Sequence, residues 1–582
     1  MVSTPQTASQ AAVDCARDEA GPLQASSPNG TGSDVPQRWP VSVLLGVLVL
    51  LVCFMSWGVW GTSVPVGDEG VHIEMAARHL AEGRLSVNPY YLAYMLVFRF
   101  LTPDPLTAHT ICRFLTSLFS VMCMALFLRS FRCLKSDWSI LFVCAFWACC
   151  RLTIPYVQFG NVNVFALNII FPSLILVVRK NSVPRSLFFL TACLWASQCR
   201  LEYWAPFALY TLYLACLLVA HWRNRFSGSE KWSTISAWTM LAVLIASFST
   251  VIGGRDRSVD FDRYLLLGLN QCYTSLYSKF HPELRISTMV EYSELTDEVF
   301  GHPEGFSDAL KHNPKEVVKY LVLNGAINSV ILVPGLLRHR SLFIPAVYGK
   351  RGEIAQISCF LLLFCLGAFV RLRTLPKGWL DRSRRPETVF GPTPMVLLCL
   401  GAAASVSLLL HIPDPRYWMS CIPVLFLWIA WSMDGLFSWL TCRRAEAVVS
   451  ILSALWFMHP IFPGKPSNQE LMRRMRALDP VGGPAVIAGL HPLAYGTYPF
   501  TTDYEAVTVK ELSVAQLEAG RYDFVVVDSY LRGSSFWARE ATTMDRFERD
   551  PAAFDYQEVG RTLDKYATTV YVHRRNTVRR QD

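Results

Sequence analysis

Along the chain, long apolar runs alternate with short polar ones, and the apolar runs have membrane length. A hydrocarbon core of about 30 Å takes roughly 20 residues of α-helix. Runs of that order recur over 41–60, 106–129, 162–179, 204–222, 234–252, 354–371, 394–411 and 417–440, with shorter ones over 138–150, 186–199 and 446–460. This predicts a polytopic α-helical membrane protein of about eleven transmembrane helices. Residues 461–582 break the pattern. There the strand-like runs 485–489, 524–528 and 568–573 alternate with helix-like 512–519 and 537–547, which predicts a small C-terminal α/β domain.

Composition agrees with the pattern: 52% of residues are hydrophobic and 17% charged, with mean hydropathy +0.29. The net charge of +9 does not point to nucleic acid, because the basic residues sit at the ends of apolar runs rather than on one soluble face. Most of the 17 cysteines lie inside predicted spans, where they serve as small apolar packing residues, and no CxxC pair or zinc-spaced Cys/His cluster occurs. Residues 1–40, rich in Ser, Pro, Gly, Gln and Ala, read as a disordered tail, which makes the first span an uncleaved anchor.

Charge also orients the spans. With the tail in the cytoplasm, the basic loops Arg129–Lys135, Arg179–Arg185 and Arg223–Lys231 all fall inside, as positive-inside bias requires. Residues 318–337 are ambiguous. A crossing there would put Arg371, Arg373, Lys377, Arg382, Arg384 and Arg385 outside, whereas a surface-lying or re-entrant helix keeps them inside. The polar first half, with Pro314, Lys315, Glu316, Lys319 and Asn324, favours the surface helix. The resulting organisation is a tail at 1–40, a membrane domain at 41–460 with outer loops 61–105 and 253–353, and an extracytoplasmic α/β domain at 461–582. Localisation to the plasma (inner) membrane is expected. The α/β domain carries no phosphate-binding glycine loop and no nucleophile elbow.

Four polar constellations fall on the predicted outer side. Asp68-Glu69 follows the first span and opens an amphipathic helix whose stripe is Ile73, Ala76, Ala77 and Leu80, stopped by Gly83; His72 lies one turn along. The pair serves equally well as an N-cap with its dipole partner or as a proton-abstracting group at the membrane plane. Arg200 and Glu202 interrupt an otherwise continuous apolar stretch, either as a turn with a local ion pair or as a phosphate-binding fork. Arg416-Tyr417 begins a helix after the turn of Pro413 and Pro415; the two residues fit an ion pair with Asp414 plus an interface-belt aromatic, or a ligand site. Arg113 lies two turns into the second span, snorkelling or facing a cationic pocket.

The order Gly67-Asp68-Glu69, Ala81-Glu82-Gly83, Pro89-Tyr90-Tyr91 and Pro105-Leu106 leading to Arg113 resembles the C-superfamily (GT-C) glycosyltransferases. The group most alike contains protein O-mannosyltransferases, lipid A aminoarabinose transferases and lipopolysaccharide galacturonosyltransferases. Cys199-Arg200-Leu201-Glu202 is similar to that group's Arg-Pro-Glu turn, with Leu201 where proline is usual, and Arg416-Tyr417 with Pro423 is similar to its Arg-Tyr element. Asn313-Pro314-Lys315-Glu316 with Asn324 is similar to the element before its surface helix. The likeness spans about residues 41–440. One departure stands out: the next outer loop, Gln158–Asn163, offers amides where family members often carry an acid. The resemblance leaves room for a divalent metal, to which the residues lend no support, and no cofactor is called for.

The resemblance implies an inverting transferase that moves a sugar from a polyprenyl-phosphate donor to a glycan, lipid or protein acceptor. Asp68 is then the general base, with Glu69 beside it. His72, Arg113, Arg200, Glu202, Arg416 and Tyr417 are the candidates for holding donor phosphate or acceptor. Two alternatives remain open: a mannosyltransferase of the glycolipid-anchor and N-glycan branch, whose usual His-Pro before the acidic pair is missing here, and a lipid or solute transporter, for which half-repeats are lacking.

Overall fold

The computed structural model describes residues 39–57, 69–131, 133–134, 136–149, 162–179, 182–223, 231–254, 261–281, 292–337, 349–373, 392–410, 419–439, 471, 474–475, 477–478, 485–489, 504–507, 511–561 and 568–578. The predicted spans up to residue 440 are all helical: α1 Val41–Trp57, with α4 Pro105–Arg129, α5 Asp137–Cys149, α6 Val162–Arg179, α7 Val183–Cys199, α8 Trp204–Arg223, α9 Lys231–Gly254, α14 Gly349–Arg373, α15 Pro392–Leu410 and α16 Ile422–Trp439. The predicted span over 446–460 lies outside the described residues. Thr107–Arg129, Val162–Arg179, Ile235–Ile252 and Met419–Phe437 are long and apolar enough to cross a membrane. Shorter apolar helices are Val41–Cys53, Asp137–Ala148 and Thr393–Ser407. The Ile235–Ile252 window is only 11% buried, with Ile235, Trp238, Val243, Ile245 and Ile252 exposed, a surface suited to hydrocarbon. These are the helices of an integral membrane protein.

The two long outer loops hold more helix than the amphipathic helix after Glu69 and the surface helix over 318–337 that were expected there. The first outer loop holds α2 Glu69–Ala81 and α3 Pro89–Phe100. α2 ends where predicted: Gly83 takes φ +67°, its N–H meets the Leu80 carbonyl and the Arg84 N–H meets that of His79, a Schellman stop. α3 starts on Asn88, whose side chain accepts from the Tyr90 N–H at 2.9 Å, followed by Pro89 in the first turn. The second such segment holds α10 Phe261–Phe280, α11 Tyr292–Phe300, α12 Phe306–His312 and α13 Pro314–Leu337. α13 covers the ambiguous residues. Asn313 caps it, accepting from the Glu316 N–H at 3.3 Å, and buried Asn324 donates to the Leu409 carbonyl near the end of α15 at 3.0 Å.

Side-chain contacts assign the helix ends. One end is held by two buried ion pairs. Arg129 approaches Asp137 at 3.9 Å and donates to the Trp39 carbonyl at 2.6 Å, while the Trp39 N–H donates to Asp137 at 2.5 Å. Arg371 pairs with Asp434 at 3.4 Å and also donates to the Cys133 carbonyl; Asp434 accepts from the Ser136 N–H at 2.7 Å. Arg179 joins them, donating to Ser130 at 3.2 Å. Arg129, Arg179 and Arg371 thus share one end of the bundle, as the surface-helix reading of 318–337 requires. Beside this clamp α14 and α16 approach closely, with Gly367 against the Ser432 backbone and Gly435 against the Gly367 carbonyl, where neither position has room for a Cβ.

Strands β1 Ala485–Gly489, β2 Tyr504–Val507, β3 Phe524–Val527, β4 Tyr556–Arg561 and β5 Thr569–His573 form one sheet in the order β2-β1-β3-β5-β4. β1 runs parallel to β2 and β3, while β5 is antiparallel to β3 and β4. β1, β3 and β5 occupy the predicted apolar runs, and all four β3 residues are buried, as expected of a central strand flanked on both faces.

Candidate functional site

At the end opposite the ion-pair clamp, one apolar cluster joins elements far apart in sequence. Ile73 and Ala76 of α2, Tyr90, Tyr94, Met95 and Val97 of α3, and Ala108 and Cys112 of α4 are buried together. Val162, Phe165 and Cys199 pack against them. Three of the four predicted constellations therefore meet through their immediate neighbours: the Glu69 helix, Arg113 beside Cys112, and Arg200 beside Cys199. The fourth does not enter the description. Asp68, Arg416 and Tyr417 lie outside the described residues, as do Gln158–Asn161. Glu69 is described as the first residue of α2, which places its backbone at the positive end of that helix.

The remaining candidates have defined surroundings. His72 Nδ1 lies 3.2 Å from the Tyr91 hydroxyl, and its ring meets Tyr90 edge-on with centroids 5.3 Å apart. Burial pushes the Tyr91 phenol up, with Cys199 adding to it, so the hydroxyl keeps its proton and is able to donate to the imidazole. Arg113 is 6% exposed inside the bundle. Arg200 Nε donates to Glu202 Oε1 at 3.0 Å, with side chains 13% and 6% exposed. The local ion pair considered from the sequence is thus made. It is also buried, and Glu202 fixes where the guanidinium sits. Just beyond, burial holds the Tyr203 phenol well above its ordinary range, with Glu202 pushing the same way.

Residues that the sequence did not single out tie these groups together. Asn88 caps α3 and also accepts from the Cys199 thiol at 3.5 Å, linking the first loop to the Arg200 turn. Buried His109 Nδ1 and the Tyr94 hydroxyl lie 2.9 Å apart. The Asn-Pro pair at 88–89 was a readable helix start. The Tyr94–His109 pairing had no signal, because it crosses between two helices whose register only packing determines.

Beneath this layer lies a cavity of about 700 Å³ between α3, α4 and α6. Its walls are almost wholly apolar, from Tyr90, Cys112, Met122, Phe165 and Ile169, with Thr116 and Asn168 the polar exceptions. Leu96, Leu115 and Phe119 on its rim are 49%, 49% and 45% exposed, so it opens sideways on the bundle. Among the described residues no group of three or more His, Cys, Asp or Glu is arranged to hold a metal ion.

No family model matches the chain, and no curated protein matches it. Among solved structures it is similar to ArnT from Cupriavidus metallidurans bound to undecaprenyl phosphate, at 11% identity over 91% of this chain and 98% of that one, with TM-score 0.35. It is also similar to the oligosaccharyltransferase AglB from Archaeoglobus fulgidus in complex with an inhibitory peptide and a dolichol-phosphate, at 10% identity over 92% of this chain and 74% of that one, with TM-score 0.44. At identities and TM-scores this low the likeness carries nothing about chemistry, which rests on the chain's own residues.

Proposed function

We infer that this chain is a membrane glycosyltransferase that moves a sugar from a polyprenyl-phosphate-linked donor to an acceptor hydroxyl, with inversion. The observation that carries the reading is an apolar cavity whose walls are continuous with the cluster that joins α2 to the neighbours of Arg113 and Arg200. Helix α2, Cys112 beside buried Arg113 and Cys199 beside the Arg200–Glu202 turn pack in one apolar cluster, which shares Tyr90, Cys112 and Phe165 with the sideways-opening cavity of about 700 Å³. A polyprenyl chain is hydrocarbon with a phosphate at one end, and such a layout suits both parts.

The chemistry then follows from the groups. The acceptor oxygen attacks the anomeric carbon, the bond from that carbon to the phosphate oxygen breaks, and the electron pair leaves with the phosphate. Arg113, Arg200 and Arg416 stabilise that charge. The acceptor proton passes to Asp68, at the head of the α2 segment, and attack opposite the leaving phosphate inverts the centre. Glu69 orients the base or the acceptor, and His72, held by Tyr91, contributes a hydrogen bond. Glu202 serves by locking Arg200.

The test is direct. Asp68→Asn protein, purified with its membrane lipids, is assayed for transfer from a polyprenyl-phosphate sugar. The expected loss is about 10²–10⁴-fold, the usual contribution of a general base. Transfer at the parental rate would remove Asp68 from the mechanism.

A further inference from the structure

A second pocket, remote in sequence from the residues above, lies in the helical segment that follows α9. It has a volume of about 380 Å³ and is lined by Arg263, Leu266, Leu267 and Asn270 of α10 and by Glu304 of the loop between α11 and α12. Residues 263, 266, 267 and 270 recur at helical spacing and so form one face of α10. The loop is tied against that helix: Asp262 accepts from the Ser307 N–H at 3.0 Å and from its hydroxyl at 2.9 Å, capping α12 and holding Glu304 over the α10 face.

The polar groups of this pocket are poised and unused. Asn270 is 7% exposed, and its side-chain oxygen is buried with no hydrogen-bond partner among the described residues. Leaving a buried amide oxygen in that state is costly, so it calls for an occupant. Arg263 and Glu304 line the same space, yet they form no ion pair with each other or with any other described residue. Opposite charges that share a pocket without closing on each other leave room between them for a ligand that gives and takes hydrogen bonds.

We propose that this pocket binds a neutral saccharide. A ring hydroxyl is donor and acceptor at once, so one sugar satisfies a carboxylate, an amide oxygen and a guanidinium together. Leu266 and Leu267 supply an apolar floor for the C–H face of the ring. The balanced charge disfavours phosphate, which would meet Glu304, and the volume is at the small end for ligand sites, fitting a short glycan rather than a lipid. The same segment packs against α15, which also packs against the turn 201–203 carrying Glu202. The assignment as a saccharide site stands on the pocket alone; its role as the acceptor site rests on the transferase reading.

The test uses the full-length protein in lipid nanodiscs, without donor, and saturation-transfer NMR with maltose, cellobiose and mannobiose as probes. At least one disaccharide is expected to show transfer to its ring protons. Glu304→Gln and Asn270→Leu are each expected to weaken that binding about tenfold or more, the loss of one hydrogen bond to a charged or buried group. Asn270→Leu should hold or raise the melting temperature, since it removes an unsatisfied buried amide; a purely structural Asn270 would lower it. Should Asn270→Leu fail to fold, exposed Glu304→Gln carries the test. Absence of transfer to all three sugars in the parent, or undiminished binding in Glu304→Gln, overturns the proposal. Asp68→Asn should leave this binding unchanged, so a failed base assignment and a failed pocket are read separately.

Discussion

At the end of the bundle that holds Trp39 and Asp434, each buried carboxylate meets both a backbone N–H and an arginine, and the helices behind them close glycine against glycine. At the other end an apolar cluster with its tyrosines and histidines adjoins a cavity with apolar walls, the two sharing Tyr90 and Cys112. The same residue types do different work. In the clamp, guanidinium and carboxylate offset one another's charge and fix helix ends; at the other end Glu202 holds Arg200 in a turn between two helices. A buried arginine in an apolar helix is therefore no evidence for a site until its partners are known. Arg371 is such a case, held by Asp434 and by the Cys133 carbonyl.

The largest expected effect breaks the clamp. Asp434→Asn leaves Arg371 buried beside a neutral amide and should cost about 3–5 kcal/mol, read as a large drop in the melting temperature of the membrane-inserted protein. Glu202→Gln sharpens the contrast at the other end. It should lower stability by about 1.5–3 kcal/mol, as loss of a charged hydrogen bond does, and raise the KM for the lipid donor because Arg200 is no longer aimed. A stability loss with donor KM unchanged would place Arg200 with the clamp arginines as a structural group. Tyr94→Phe, which takes the hydroxyl from His109, should cost about 0.5–1.5 kcal/mol by thermal melting.

The smallest effect is in the sheet. Burial lowers the pKa of His573 below its ordinary 6.5, with Arg575 pushing the same way, so the folded state favours the neutral ring. Its contribution is fully present above pH 6.5 and is lost as pH falls through the folded value, since the unfolded chain takes up the proton first. Melting of the parent and of His573→Gln between pH 7.5 and pH 5 should show the weaker pH dependence in the variant.

The helices were legible because lipid imposes a single rule, an apolar run of fixed length, and runs such as 162–179 obey it without reference to any neighbour. Buried strand β3 was legible because a central strand covered on both faces reads as a short continuous apolar run. Helices α3 and α10 to α12 were not, because they mix polar and apolar residues and gain stability by packing on neighbouring helices. Charge gave the common end of Arg129, Arg179 and Arg371 but not their partners, since Asp137 and Asp434 read as ordinary helix residues until the fold sets them against arginine. Of the candidate site, Ile73 and Ala76 of α2, Cys112 beside Arg113 and Cys199 beside Arg200 pack in one cluster. The link from Asn88 to Cys199, the Tyr91–His72 contact and the Tyr94–His109 pair stayed invisible because they depend on contacts between helices.

The most direct test is the transfer rate per folded molecule in Asp68→Asn and Asp434→Asn, measured side by side with one polyprenyl-phosphate sugar. The account predicts that Asp68→Asn melts like the parent and loses about 10²–10⁴-fold in rate, while Asp434→Asn melts early and keeps the parental rate in the molecules that remain folded. The reverse pattern, with rate lost at Asp434 and retained at Asp68, would contradict the division of the molecule into a structural end and a chemical one.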